Sequence, residues 1–311
     1  MDENLLIYHM EKRMLIAGGS GLIGQEVTKL AKQEGWIVSI LSRSPGNGHV
    51  VWDPAKRHIQ SMDNSSFDAI VNLAGASIAG GRWTEKRKKL IQESRLDSCA
   101  TLEKHLSTGA MKTKVYIGAS AIGIYGSHKD ESVNEDTPVR EEDEFLNQTC
   151  RLWEDAHRRI ESLGIRTVIF RIGLVMSRKG GALKEILQTA PFGLLSYFGS
   201  GTQQWSWIHV EDVARSVLHV VTRKEMKGVV LATAPNPVTN KSLSKAINRT
   251  YTLPRLVLPV PRFVLSIVLG EMHTTLFQDC ACYPDRLLQG GFEFRYEHIE
   301  SAAEDLMKKG K

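Results

Sequence analysis

The chain has 311 residues, of which 42% are hydrophobic and 24% charged, and its net charge of +5 arises from 40 basic and 35 acidic residues. This composition excludes a disordered chain and is enough for one large domain or two modest ones. The basic excess is small and dispersed, which argues against nucleic acid as a partner and leaves an anionic small molecule open.

Cys99, Cys150, Cys280 and Cys282 form no C-x-x-C pair and have no histidine cluster beside them. Neither a metal site nor a disulfide framework is expected, and a reducing cytoplasm is the simplest setting. No run approaches the roughly 18 apolar residues of a membrane span. The apolar stretch FVLSIVLG at 263–270 reads as a short buried helix. Met1–His9 lacks a secretory pattern and reads as a dispensable extension before the first strand.

RMLIAGG at 13–19 is an apolar run entering glycine, followed by GGSGLIG at 18–24 and by QEVTKLAKQEG at 25–35, which has helical spacing. Strand, glycine turn and helix in that order make a phosphate cradle. Gly18, Gly21 and Gly24 allow a tight turn and a close approach of pyrophosphate, the helix beyond the turn offers free N–H groups at its start, and Leu22 and Ile23 of the turn are also expected at the cofactor. WIVSILSRS at 36–44 reads as the second strand. Its end carries Ser42 and Arg43 where a dinucleotide site often has an acidic residue for the ribose. A guanidinium suits a 2′-phosphate, so NADP is the expected cofactor rather than NAD.

DAIVNLAG at 68–75 is a further buried strand, and the small residues at its end leave room for a ligand; Leu73, Ala74 and Gly75 are expected on the adenosine side. KVYIGASAIGIYG at 114–126, with Ser120 past the apolar run, and IRTVIFRIGLV at 165–175 continue the series. Strands alternating with helical stretches predict an α/β fold with a doubly wound parallel sheet. YGSHK at 125–129 has the spacing of a Tyr-x-x-x-Lys pair, but Gly126 and Ser127 break a helix there. EDEFLNQTCRLWEDAHRRIESLG at 142–164 has helical spacing, with Phe145, Thr149, Leu152, Trp153, Ala156 and Ile160 on one face.

These motifs resemble the extended short-chain dehydrogenase/reductase superfamily, a Rossmann fold with a smaller C-terminal substrate region. The pattern is similar in finer detail to its atypical YfcH-like epimerase branch, through GGSGLIG, LSR, VNLAG, RWTEKRKKLIQESR at 82–95, FRIGLV, GGAL at 180–183 and WSWIHVEDVA at 205–214. A C-terminal domain of unknown function would be carried by LPVPRFVLSIVLGE at 258–271 and GFEFRYEHIESAAEDL at 291–306. The resemblance implies a cofactor domain over 13–176 with a return at 203–235, and a substrate region over 177–202 and 236–311. It implies that Arg95 helps hold cofactor phosphate and that Val175 lies at the cofactor. The catalytic Tyr and Lys slots on the 142–164 helix then hold Cys150 and Glu154, the latter an acceptor for ribose hydroxyls, so the usual proton relay is missing.

Ser120 and Tyr125 remain as candidate catalytic groups near the nicotinamide, His209 reads as structural, and Trp205 and Trp207 lie in a segment expected to help form the substrate pocket, open to core packing or ligand stacking alike. Two functions stay open. One is an NADP-dependent oxidoreductase or epimerase acting on a small, nucleotide-linked substrate. The other is a non-catalytic NADP(H)-binding redox sensor or assembly factor. Likeness to the family adds the expectation of a homodimer.

Overall fold

In the computed structural model, which describes residues 11–61 and 64–308, strands and helices alternate through the first half of the chain. The elements there are β1 (Arg13–Ala17), α1 (Leu22–Gln33), β2 (Ile37–Ser42), β3 (His49–Asp53), β4 (His58–Ile59), β5 (Ser65–Asn72), α2 (Glu85–Ser107), β6 (Met111–Ala121), β7 (Ser132–Val133), α3 (Phe145–Glu161) and β8 (Arg166–Ile172). There follow β9 (Leu174–Ser177), α4 (Gly181–Ile186), β10 (Leu194–Phe198), β11 (Gln204–Trp205), β12 (Trp207–His209), α5 (Val210–Thr222) and β13 (Gly228–Ala232). The last elements are β14 (Val238–Thr239), α6 (Asn240–Arg249), β15 (Leu256–Val260), α7 (Arg262–Leu269), β16 (Ala281–Cys282), α8 (Asp285–Gln289) and α9 (Ile299–Lys308). The extension Met1–His9 expected from the sequence lies outside the described residues.

The main sheet runs β13-β8-β6-β5-β1-β2-β3-β4, parallel throughout except for the β3–β4 edge. The chain first winds outward through β2 and β3, then crosses back to place β5 on the other side of β1. The winding reverses between β1 and β5, and in open sheets of this kind the ligand crevice lies beyond the C-terminal ends of the strands at such a point. Side chains alternate across the sheet, so β1 serves both cores. Met14 and Ile16 pack with Val27 and Ala31 of α1, whereas Leu15 and Ala17 pack with Leu102 and Leu106 of α2. Burial on both faces explains why the central strands read as near-continuous apolar runs.

A separate apolar cluster gathers Met176, Leu183, Leu195, Trp205, Trp207, Leu243, Ile247, Tyr296 and Leu306 from the second half. Two short pairings lie outside the main sheet: β9 with β12 within the second half, and β7 with β16, which ties that half back to the first. The expectation that 263–270 is a buried helix is half right. α7 forms, but only Leu265 is buried on it, while Phe263, Ile267 and Val268 are exposed. Apolarity signals burial only where another element covers the helix, and here α7 packs on one side alone. Leu152 likewise faces solvent on α3, although Phe145, Thr149, Trp153, Ala156 and Ile160 are buried as their spacing predicts.

Candidate functional site: a glycine cradle and a buried ion-pair network

The first turn after β1 is built for an anion. Gly18 has φ +80°, and a Cβ on it would stand 2.8 Å from the Leu73 carbonyl. A Cβ on Gly24 would collide with the Gly18 carbonyl oxygen. Glycine at both positions therefore lets the loop press against the end of β5 and against α1 itself. Gly21 caps α1 with no side-chain hydrogen bond, so the first-turn N–H groups at Leu22, Ile23 and Gly24 keep the open donors and the positive dipole end of a helix start. A Cβ on Gly180 or Gly181 would touch the Leu22 side chain, so GGAL lies beside the start of α1.

The other residues expected at the cofactor lie around this crevice. Leu73 and Ala74 are half-buried and Gly75 is exposed at the end of β5. Ser42 ends β2, its Oγ accepting from the Ser44 N–H, and Arg43 follows it, exposed. Val175 is half-buried on β9. The Arg95 guanidinium crosses Gly75, lies 4.7 Å from the Trp153 ring, and donates through Nη1 to the Ala76 and Ile91 carbonyls.

Ser120, Tyr125, Glu154 and Arg171 form one buried network. Arg171 on β8 donates from Nε to Glu154 Oε1 at 2.8 Å and from Nη2 to Oε2 at 2.9 Å. Ser120 Oγ donates to the same Oε1 at 2.8 Å. Arg171 Nη1 reaches the Tyr125 hydroxyl at 2.6 Å, and that hydroxyl donates to the Asn134 carbonyl. This bidentate fork is the strong form of an ion pair, and it leaves Glu154 with no surface exposure. The expectation that Glu154 accepts from ribose hydroxyls is corrected by this geometry: both its oxygens are engaged inside the protein. Burial opposes the Arg171 charge and the Glu154 carboxylate outweighs it, so the guanidinium stays firmly protonated. Burial, against the pull of Arg171, raises the Tyr125 phenol well above its ordinary value. Burial, aided by Glu154, pushes the Cys150 thiol up to about 12, so it is no ready nucleophile.

YGSHK is not a helix. Tyr125 ends a 3-10 turn at Ile122–Ile124, Gly126 has φ +67°, and Lys129 is exposed on the following loop. His209 caps α5, its Nδ1 accepting from the Glu211 N–H, and its ring lies on Tyr296. Trp207 is fully buried and donates to the Asn236 carbonyl. The residue missed in the sequence is Arg171. Its signal was a single cation inside the apolar run TVIFRIG, which a buried strand tolerates only beside an anion.

Residues 14–231 match the NAD dependent epimerase/dehydratase family, and residues 260–306 match a domain of unknown function, DUF1731. The chain belongs to the NAD dependent epimerase/dehydratase family. It is 36% identical over 302 residues to the epimerase family protein YfhF of Bacillus subtilis, covering 94% of this chain and 97% of that one. The crystal structure of human epimerase family protein SDR39U1 with NADPH aligns over 95% of this chain and 99% of its own, with a TM-score of 0.86 and 28% identity. The Thermus thermophilus UDP-glucose 4-epimerase complex with NAD aligns over 96% of this chain and all of its own, with a TM-score of 0.72 and 16% identity, which speaks to the fold. Among the described residues no group of three or more His, Cys, Asp and Glu is placed to hold a metal ion, and no helix is long and apolar enough to cross a membrane.

Proposed function

We propose that this member of the epimerase/dehydratase family binds NADP(H) and acts as an oxidoreductase or epimerase on a small, nucleotide-linked substrate. The observation that carries the cofactor assignment is the cradle of Gly18, Gly21 and Gly24, open at the sheet's switch point, with the exposed Arg43 at the end of β2. Leu22, Ile23 and Gly24 would face the pyrophosphate, Ser42 and Arg43 the 2′-phosphate, and Leu73, Ala74 and Gly75 the adenosine. Arg95 and Val175 would complete the cofactor wall. The likeness to a relative crystallised with NADPH supports this reading. Segments 177–202 and 236–311 would form the substrate side.

The bound cofactor would supply the hydride chemistry. Proton handling would fall to Ser120 and Tyr125, coupled through Glu154 and Arg171 in place of the usual tyrosine and lysine. Either hydroxyl must first leave its present partner to reach a substrate. That commitment favours the second reading, a protein that binds NADP(H) without turnover and reports on it to a partner.

Binding of NADPH and NADH to the purified protein, followed by nicotinamide fluorescence, tests the cofactor assignment. NADPH is expected to bind more tightly, and Arg43→Ala to weaken NADPH by roughly ten- to a hundredfold while leaving NADH nearly unchanged, as the loss of a charge-assisted contact requires. Equal losses for both would remove the 2′-phosphate role. Oxidation of bound NADPH on adding one member of a panel of nucleotide sugars and carbonyls would favour the enzyme over the sensor.

A further inference from the structure

Two of the four cysteines are not isolated. Cys280 Sγ and Cys282 Sγ stand 3.4 Å apart as free thiols in the cluster that also holds Tyr125, Cys150 and Trp83. They flank Ala281, Cys280 just before β16 and Cys282 at its end, and this short strand pairs with β7 just after the Tyr125 loop. Their backbone is held on several sides. The Cys282 N–H donates to Ser206 Oγ at 2.7 Å, Ser206 Oγ donates to the Cys280 carbonyl at 2.8 Å, and Thr233 Oγ1 donates to the Cys282 carbonyl. The pair also borders the buried network: Cys282 and Tyr125 share one buried cluster, and β16 pairs with β7 soon after the Tyr125 turn.

We infer that Cys280 and Cys282 form a reversible dithiol–disulfide site, oxidised by a small peroxide and felt at the Arg171–Glu154 network. Two residues of strand rise separate Cα atoms by about 6.6 Å. A disulfide accepts up to about 6.8 Å, so the bond can close at the long end of its range with the sulfurs moving together. A bond closed at that limit is strained, and strained disulfides are readily reduced. The site would therefore stay open in a reducing compartment and close under oxidative load.

The chemistry balances with hydrogen peroxide as the oxidant. One thiolate attacks the peroxide, giving a sulfenic acid and, with its proton, one water. The second thiol then displaces the sulfenic hydroxyl as a second water while the S–S bond forms. Two electrons leave the sulfurs and reduce the peroxide. The thiol beside it and burial together hold Cys282 well above the ordinary thiol range, which makes closure slow at neutral pH.

Trypsin places the pair on one peptide, 263–286, while Cys99 and Cys150 fall on others. Folded wild-type protein is treated with hydrogen peroxide, then unfolded in urea and alkylated with iodoacetamide, digested and weighed. The 263–286 peptide is expected to lose two hydrogens and both alkyl groups, and to regain them when dithiothreitol precedes alkylation. Cys280→Ser should abolish the loss, and Cys282→Ser serves if that variant does not fold. Full alkylation of 263–286, or oxygen addition there without the loss of two hydrogens, in protein that still melts cooperatively overturns the site.

Coupling rests on the NADP reading and is measured separately. The oxidised protein is expected to bind NADPH at least about fivefold more weakly, and NADPH to slow closure, because coupling between two sites is reciprocal. Unchanged affinity after closure overturns the coupling. Reduced protein that binds no NADPH overturns the cofactor reading instead, and the peptide masses still decide the site.

Discussion

Glu154 is a full charge with no exposure, tolerated because Arg171 grips both its oxygens. Removing one partner strands the other in the interior, and this costs more than the pair itself contributes. Glu154→Ala is expected to destabilise the fold by about 3–5 kcal/mol, and Glu154→Ala with Arg171→Leu by clearly less; urea unfolding of the three proteins measures the difference. His157 is the matching case for a neutral group. Its ring is fully buried, Nε2 meeting the Ala119 carbonyl and Nδ1 the Tyr116 hydroxyl, and burial pulls its pKa down from 6.5 to about 4. The unfolded chain therefore takes up a proton below pH 6.5 that the native protein refuses until near pH 4. Stability from this residue is whole above pH 6.5, declines as pH falls through that window, and its loss amounts to roughly 3 kcal/mol. Urea midpoints measured from pH 7 to pH 4.5 should fall for the wild type and fall less for His157→Phe.

At the scale of elements, hydrophobic period and glycine position carried most of the architecture. The cradle, the parallel sheet and α3 were legible because each is local: a strand, a turn or a helix face announces itself within about ten residues. What escaped depends on residues far apart in the chain. Arg171 and Glu154 lie on separate elements, and β16 reaches back to β7, so no local pattern shows Cys282 beside Tyr125's loop. α7 was misjudged for the same reason, since coverage is decided by what packs on it. That difference is measurable. Leu265→Ala, which empties the one buried position, should cost about 2–5 kcal/mol, whereas Phe263→Ser and Ile267→Ser should stay within about 0.5 kcal/mol. Thermal denaturation of the three variants separates the two faces.

For the molecule as a whole, a cofactor held at the seam between β1 and β5 should steady both windings of the sheet together. At a hundredfold excess over its dissociation constant, NADPH is expected to contribute about 2.7 kcal/mol and to raise the melting temperature by roughly 5 °C; NADH at the same concentration should raise it less. Differential scanning fluorimetry reads both. The pairing of β7 with β16 has one more consequence. The Tyr125 loop leaves the ribosome early, yet the strand that walls it is made some 150 residues later. The Asn134 side chain donates to Asp285 and Glu135 accepts from the Arg286 N–H across the same span, while Glu135 also accepts from the Leu231 N–H, 96 residues away. During synthesis β1 and its glycine turn emerge long before β16, the strand that walls the Tyr125 loop. A chain cut short before β16 therefore lacks the wall of the Tyr125 loop and, with it, the Cys280–Cys282 pair.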